Sequence, residues 1–218
     1  YAGGYNTQGI GYSANPVSIA WTNVAITSFV CAAFYAFNLN GTPYALAANL
    51  NGGNWIYYST DGLNWTASNA NTVITNMGYN YNRINNPFGS SGSMVLAIGA
   101  NGSNPTAIYS TNCSTWTACT FTTTLTGAPN GVAYGNGKWM ICTQTASTLW
   151  VSSNGTAFTS TITVPLTTIN TISYVNNTWV IGGIGTMSNV YYSKDDGATW
   201  NVATISIGTV QCSATAIK

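Results

Sequence analysis

Only seven side chains in 218 residues carry a formal charge: Arg83, Lys138, Lys194 and Lys218 against Asp61, Asp195 and Asp196. There is no His and no Glu. Glycoside hydrolysis by paired carboxylates would have to draw on those three Asp residues, and all three stand in turn sequences, Asp61-Gly62 and Asp195-Asp196-Gly197. A Ser-His-Asp triad cannot be built without His. The five cysteines, Cys31, Cys113, Cys119, Cys142 and Cys212, have no His partner and no CxxC spacing, so no zinc site is expected. The residues argue against an enzyme, and no cofactor or metal is expected.

The same scarcity of charge excludes partners that need a field. Four scattered cations cannot form the stripe that tracks nucleic-acid phosphates, nor a polybasic patch for anionic lipid. No apolar run reaches membrane-spanning length; Ile26 to Phe37 is strand-sized and broken by Thr, Ser and Cys. Solubility must come from Asn, Thr, Ser and Gly, whose groups hydrogen-bond water without net charge. Cys31, Cys142 and Cys212 lie in apolar strand-like stretches and read as small buried hydrophobes. Cys113 and Cys119 flank one hairpin and are the candidate pair for a local disulfide. The first residue is Tyr1 rather than Met, as expected of a processed or cut chain.

The elements around these groups repeat. Tyr191-Tyr192-Ser193-Lys194-Asp195-Asp196-Gly197-Ala198-Thr199-Trp200 reads as a strand, a polar turn and a Trp that opens the next strand. The same grammar recurs at Tyr58 to Trp65, Tyr109 to Trp116, Val151 to Phe158 and, loosely, Tyr12 to Trp21. The anchors Trp21, Trp65, Trp116, Phe158 and Trp200 fall roughly 40 to 50 residues apart, the spacing of propeller blades. Within a repeat, short β-branched and aromatic runs alternate with Asn/Gly turns, which is a four-stranded meander. The clearest is Asn130–Tyr134, Lys138–Cys142, Leu149–Ser152 and Ala157–Thr159. The third repeat, from about Tyr79 to Thr122, carries an insertion, Asn85 to Gly92, between its first two strands.

Ser193-x-Asp195-x-Gly197-x-x-Trp200 resembles the Asp-box (BNR) repeat of sialidase-like β-propellers, and Ser59-x-Asp61-Gly62-x-x-Trp65 resembles its one-residue-shorter variant. Asn112 and Asn154 stand where the Asp would be, and Asn15-Pro16 replaces Asp-Gly. The resemblance implies that the Asp or Asn accepts backbone N–H groups, that Gly supplies a positive φ, and that the Trp packs between blades. It does not carry sialidase activity with it. That chemistry needs an arginine triad and a Tyr/Glu pair, and Arg83 is the sole Arg in a chain without Glu.

The expected fold is therefore an all-β, five-bladed propeller in a single domain over 1–218. Its blades are expected at 28–70, 71–124, 125–164 and 165–208, with 209–218 joining 1–27. Thr209 to Ala214 has the pattern of an innermost strand that completes the first blade and closes the ring, leaving no open edge. The loops joining second and third strands share one face. They supply the candidate ligand-binding residues Tyr5, Asn6, Gln8, Asn49, Asn51, Asn54, Trp55, Asn101, Asn104, Gln144 and Asn189. Amides and hydroxyls match sugar hydroxyls, and an aromatic face stacks on the C–H side of the ring; five-bladed tachylectin-type lectins are similar in blade number. Tyr79-Asn80-Tyr81-Asn82-Arg83 is expected to form an innermost strand facing the central channel. The functional expectation is a non-catalytic recognition module for neutral glycans, outside the cell or on a virion surface. The alternative is a structural part of a virion or extracellular fibre that docks proteins. Neither reading has a nucleic-acid partner or a membrane-inserted segment.

Overall fold

The structure is a computed structural model that describes residues 2–3, 10–12, 22–24, 26, 29–50, 54–79, 82–83, 86–144, 147–185 and 189–203. Its regular structure is β throughout, apart from one 3-10 turn at Asn69–Thr72. No helix among the described residues is long and apolar enough to cross a membrane. Among the described residues, five antiparallel sheets of three or four strands follow one another along the chain. The first has three strands, Ala2–Gly3, Ile10–Tyr12 and Thr22–Val24. The second is Cys31–Leu39, Thr42–Asn49, Ile56–Ser59 and Thr66–Ala67. The third is Phe88–Ser90, Val95–Asn101, Asn104–Ser110 and Thr117–Ala118. The fourth is Pro129–Gly135, Lys138–Thr143, Thr148–Ser152 and Ser160–Thr163. The fifth is Leu166–Val175, Thr178–Gly185, Val190–Ser193 and Asn201–Val202.

Local chemistry sets the hairpins. Asn40-Gly41, Asn136-Gly137 and Asn176-Asn177 join first to second strands with φ of 51 and 82, 46 and 73, and 46 and 56°. Two successive positive φ values make the type I′ turn, whose twist matches that of the flanking strands. The turns after the third strands use side chains instead. Ser59 Oγ donates to Asp61 Oδ1 (3.0 Å) and accepts from Gly62 N (2.8 Å), while Asp61 Oδ1 accepts from Leu63 N and Asn64 N at 2.8 and 2.7 Å. Ser110 with Asn112, Ser152 with Asn154, and Ser193 with Asp195 repeat the arrangement. Cys113, φ 62°, takes the glycine place in the second of these turns. Each Ser is buried, so its hydroxyl has no water to fall back on. Ser59→Ala is expected to cost about 1–3 kcal/mol, the range for orphaning buried partners, measured as a shift in the urea midpoint at constant m-value. An unchanged midpoint would sink that assignment.

From the second sheet to the fifth, neighbouring sheets bury their facing sides against one another. Leu46, Ile56, Phe88, Val95 and Trp116 fill the space between second and third sheets. Leu96, Ile98, Val132, Trp139 and Trp150 fill that between third and fourth. Met140, Leu149, Ile172, Trp179 and Tyr191 fill that between fourth and fifth. First strands also run side by side. Asn86 N donates to Asn130 O and Val132 N to Asn86 O, both at 3.1 Å, and Asn130 Nδ2 donates to Ile169 O at 3.1 Å. On the outer rim Asp196 of the fifth sheet takes Asn136 Nδ2 at 2.6 Å and Lys138 Nζ at 3.6 Å from the fourth.

Three expectations are corrected. Tyr79 to Arg83 is not the first strand of the third sheet: Gly78–Tyr79 and Asn82–Arg83 form their own small hairpin. The strand is Phe88–Ser90, inside the stretch read as an insertion, because the buried Phe88 ring stacks on Tyr35 at 6.2 Å. Ala157–Phe158 is not the outer strand of the fourth sheet either. It pairs in parallel with Thr120–Phe121 of the preceding repeat, Phe158 stacks on Phe121 at 5.0 Å, and Ser160–Thr163 takes the edge. Finally, Cys113 and Cys119 are free thiols in separate core clusters, the Cys119 thiol donating to Gly155 O at 3.3 Å. Burial pushes both up to about 12, which keeps them protonated and unreactive at neutral pH. Trp21 and the expected closing strand, Thr209 to Ala214, lie outside the described residues.

Candidate functional site

The first strands of four successive sheets surround a cavity of about 380 Å³. Tyr35 comes from the second sheet, Phe88 and Ser90 from the third, Tyr134 from the fourth, and Ser173 and Tyr174 from the fifth. Asn86 enters just before the third sheet. Among the described residues, the wall carries aromatic rings, hydroxyls and the Asn86 amide, with no charged side chain.

The rings are held from behind. Tyr134 pairs across the hairpin with Trp139, centroids 4.8 Å apart at 51°, and Tyr174 pairs with Trp179 at 4.8 Å and 56°. Both Trp residues are buried, so the tyrosines have a fixed backing while their outer faces stay half-exposed. Tyr174 also lies flat against Gly135, where a methyl group would overlap its ring, and its hydroxyl donates to Asn177 Oδ1 at 3.3 Å. Tyr35 stacks between Phe37 (5.1 Å) and Phe88 (6.2 Å). Burial pushes the Tyr35 phenol up, against a smaller opposing effect from a Ser90 main-chain hydrogen bond. Asn86 Nδ2 is committed to Val132 O at 3.3 Å. The site therefore presents tyrosine rings that supply apolar faces, with phenol hydroxyls at their edges, while the Ser90 hydroxyl is committed, donating to Met94 O at 3.3 Å and accepting from Gly92 N at 3.0 Å. It has no nucleophile–base pair and no metal-ligand set, and no group of three metal-binding side chains occurs among the described residues.

The cavity lies toward the ends of the sheets that carry the type I′ turns, because Tyr134 and Tyr174 immediately precede the last residues of their strands. The described loop residues favoured from sequence lie at the opposite ends and are not among the described residues of its lining. Asn49 is buried: its Oδ1 accepts from Val30 N at 2.9 Å and its Nδ2 donates to Asn54 O at 3.0 Å. Asn54 Oδ1 accepts from Asn71 Nδ2 at 3.1 Å, and Asn189 Oδ1 accepts from Gly185 N at 3.4 Å. These amides close loops. Trp55 is half-buried against the core, with its main-chain N–H donating to Asn71 Oδ1 at 2.9 Å. Asn101, Asn104 and Gln144 are exposed, the first two closing the Gly102-Ser103 turn. Tyr5, Asn6, Gln8 and Asn51 lie outside the described residues. A signal for the cavity was present in the sequence. Tyr134-x-Asn136-x-x-Trp139 and Tyr174-x-Asn176-x-x-Trp179 are one motif, a ring pair straddling a turn, used twice.

Carboxylates take no part in the cavity, but they set the acid response. Hydrogen bonds from the Thr199 side chain, then its main chain, then Ser193 hold Asp195 at about 2 against an ordinary 3.8, and three donors from Asn64 and Leu63 lower Asp61 in the same direction. A depressed carboxyl contributes its stabilisation above the unfolded value and loses it as pH falls through the folded one. Stability should therefore be flat from pH 8 to about 4 in a chain without His or Glu, and decline from there toward about 2. A carboxyl NMR titration placing Asp195 near its ordinary 3.8 would refute this.

Comparison with known proteins bears on the fold alone. No protein-family model matches the chain, and no curated sequence is similar to it. Among solved structures, it is similar to YCF48 from Cyanidioschyzon merolae, with a TM-score of 0.56 and 15% identity over 84% of this chain and 59% of that one. The GH74 xyloglucanase from Xanthomonas campestris gives 0.56 and 15% over 85% of this chain and 32% of that one. YCF48 bound to a D1 peptide gives 0.52 and 13% over 77% and 57%. The chain thus spans well under two thirds of each of these structures, and its architecture is that of a β-propeller.

Proposed function

We propose that the protein is a non-catalytic recognition module that binds neutral glycans in the cavity between its innermost strands. The observation that carries this reading is the composition of that wall: the Tyr35, Tyr134 and Tyr174 rings with their phenol hydroxyls, and no charged side chain among the described residues. Pyranose rings offer an apolar C–H face and a rim of hydroxyls, which such a wall complements. Acidic sugars are disfavoured, because no Arg or Lys among the described residues lines the cavity to pair with a carboxylate. In this reading the four Ser–Asp/Asn turns are Asp-box turns, the sheets are blades of a five-membered ring, and Thr209 to Ala214 closes the first blade. The module works outside the cell or on a virion surface, where a neutral Asn/Thr/Ser surface limits nonspecific electrostatic contacts.

The test is a glycan array at physiological salt, followed by calorimetry. Binding to a related set of neutral sugars, weakened at least about tenfold by Tyr134→Ala or Tyr174→Ala, is the expected result. A blank array from folded protein would overturn the reading. The second reading, a rigid docking platform in a protein assembly, is favoured by one structural neighbour, since YCF48 has been captured with a D1 peptide. A blank array combined with cross-linking to protein neighbours would select it.

A further inference from the structure

An Asn followed by Gly can modify itself. The Gly main-chain N, unhindered by a Cβ, attacks the Asn side-chain Cγ. A new C–N bond forms, the bond from Cγ to the amide nitrogen breaks, and ammonia leaves with the proton given up by the Gly N–H. Water then opens the cyclic imide at one carbonyl or the other, giving Asp or isoaspartate. Six Asn-Gly pairs occur in the chain, of which Asn51-Gly52 lies outside the described residues.

Two groups must be free for this reaction: the side-chain amide, which has to turn onto the main chain, and the Gly N–H, which has to lose its proton. The fold ties at least one of them in four of the five described pairs. Gly102 N donates to Thr75 Oγ1 at 2.6 Å. Asn130 is buried, and its Nδ2 donates to Ile169 O at 3.1 Å. Asn136 Nδ2 donates to Asp196 Oδ2 at 2.6 Å. In Asn154-Gly155 both groups are held: Asn154 Oδ1 accepts from Thr156 N and Ala157 N, each at 2.9 Å, and Gly155 N donates to Ser152 Oγ at 2.9 Å.

Asn40-Gly41 differs. Both residues are exposed at the tip of the second sheet's first hairpin, and the space beside Gly41 is open. The Asn40 side chain and the Gly41 N–H have no hydrogen-bond partner among the described residues. The φ values of 51 and 82° make the turn type I′. Turning its central peptide over gives type II′, the other turn that suits a two-residue hairpin, and Asn40 keeps a positive φ in both. That flip swings Gly41 N toward the Asn40 side chain without parting the strands.

We propose that Asn40 is a self-modification site, converted through the cyclic imide to Asp and isoaspartate with water as the co-reactant, and that the fold protects the other four described pairs. Aspartate adds a carboxylate to a chain that has three acids. Isoaspartate lengthens the main chain beside the Asn40 N to Gly92 O hydrogen bond, 2.7 Å, which ties this hairpin to the third sheet. The inference rests on the hairpin and not on glycan binding, so a blank glycan array leaves it standing.

The test uses the full chain made in bacteria, because Asn40-Gly41-Thr42 is also an N-glycan acceptor sequence. The folded protein is held in mildly alkaline oxygen-18 water, then mapped by proteolysis and mass spectrometry. Label is expected at Asn40 at least about tenfold faster than at Asn101, Asn130, Asn136 or Asn154, the factor that one retained hydrogen bond supplies. Both Asp and isoaspartate should form, at a rate that rises with hydroxide concentration. In urea the pairs should react alike, since the protection belongs to the fold. Asp196→Gly frees the Asn136 amide at a φ of 57° that glycine adopts without strain, and should speed labelling at Asn136 at least about tenfold while leaving Asn40 unchanged. Thr75→Val, which releases Gly102 N, makes the same comparison at Asn101 should the first variant not fold. The proposal is overturned if Asn101 or Asn136 of the unaltered protein labels as fast as Asn40, or if untying those groups leaves their rates where they were.

Discussion

Trp139→Ala is expected to lower the free energy of unfolding by about 3–5 kcal/mol, the range for deleting a buried indole. The ring is 2% exposed and lies among Leu96, Ile98, Val132 and Ile141, so it ties the third sheet to the fourth. Its surroundings cannot collapse onto the vacancy. On one side is Gly155, and on the other Gly89, where an added methyl would sit 3.4 Å from Cζ3. Neither glycine has a side chain to swing inward, so the cavity term adds to the lost transfer energy. Against a typical total of about 5–15 kcal/mol, that loss threatens folding at physiological temperature. Urea unfolding followed by circular dichroism reads it directly, with the m-value held constant as the sign that only stability moved. A loss below about 1 kcal/mol would mean that the sheets are not interlocked through this ring.

The same residue shows what the sequence could say. Trp139 is readable as a strand residue beside an Asn-Gly turn, because turn chemistry and alternation are local properties. Local signals also located the Ser–Asp turns and most strands of the second, fourth and fifth sheets. They failed where a choice depended on a neighbouring repeat. Phe88–Ser90 is a strand because Phe88 meets Tyr35 of the sheet before it and Gly89 lies close to Val132 of the sheet after it. Ala157–Phe158 leaves its own sheet for Thr120–Phe121, a pairing 37 residues distant that no hairpin rule anticipates. The cavity went unread for a related reason. Asn and Gln in loops read as ligand groups, yet Asn49 accepts from Val30 N just before the neighbouring strand and Asn189 from Gly185 N across its own loop. Tyr134 and Tyr174 read as scaffold, and only the side-by-side packing of first strands turns them into a common wall.

That packing can be tested at a position without a side chain. Gly135→Ala is expected to abolish the proposed glycan binding in the cavity while costing about 1–3 kcal/mol of stability, the usual penalty for overpacking. The added methyl would overlap Cγ and both Cδ atoms of Tyr174, so the whole ring must leave its place. It cannot retreat toward the core, because the buried Trp179 backs it at 4.8 Å. The remaining direction is into the cavity that Tyr134, Ser90 and Ser173 help to line. Occlusion and strain then have one cause, and a double-mutant cycle with Tyr174→Ala separates them. If the methyl acts through the ring, the second substitution relieves the strain and the two stability costs fall well short of additive. Binding should remain weak in the double variant, since the stacking face is gone in either case. Additive costs, or wild-type affinity in Gly135→Ala, would show that Tyr174 has another place to go and that Gly135 does not set the aperture of the site.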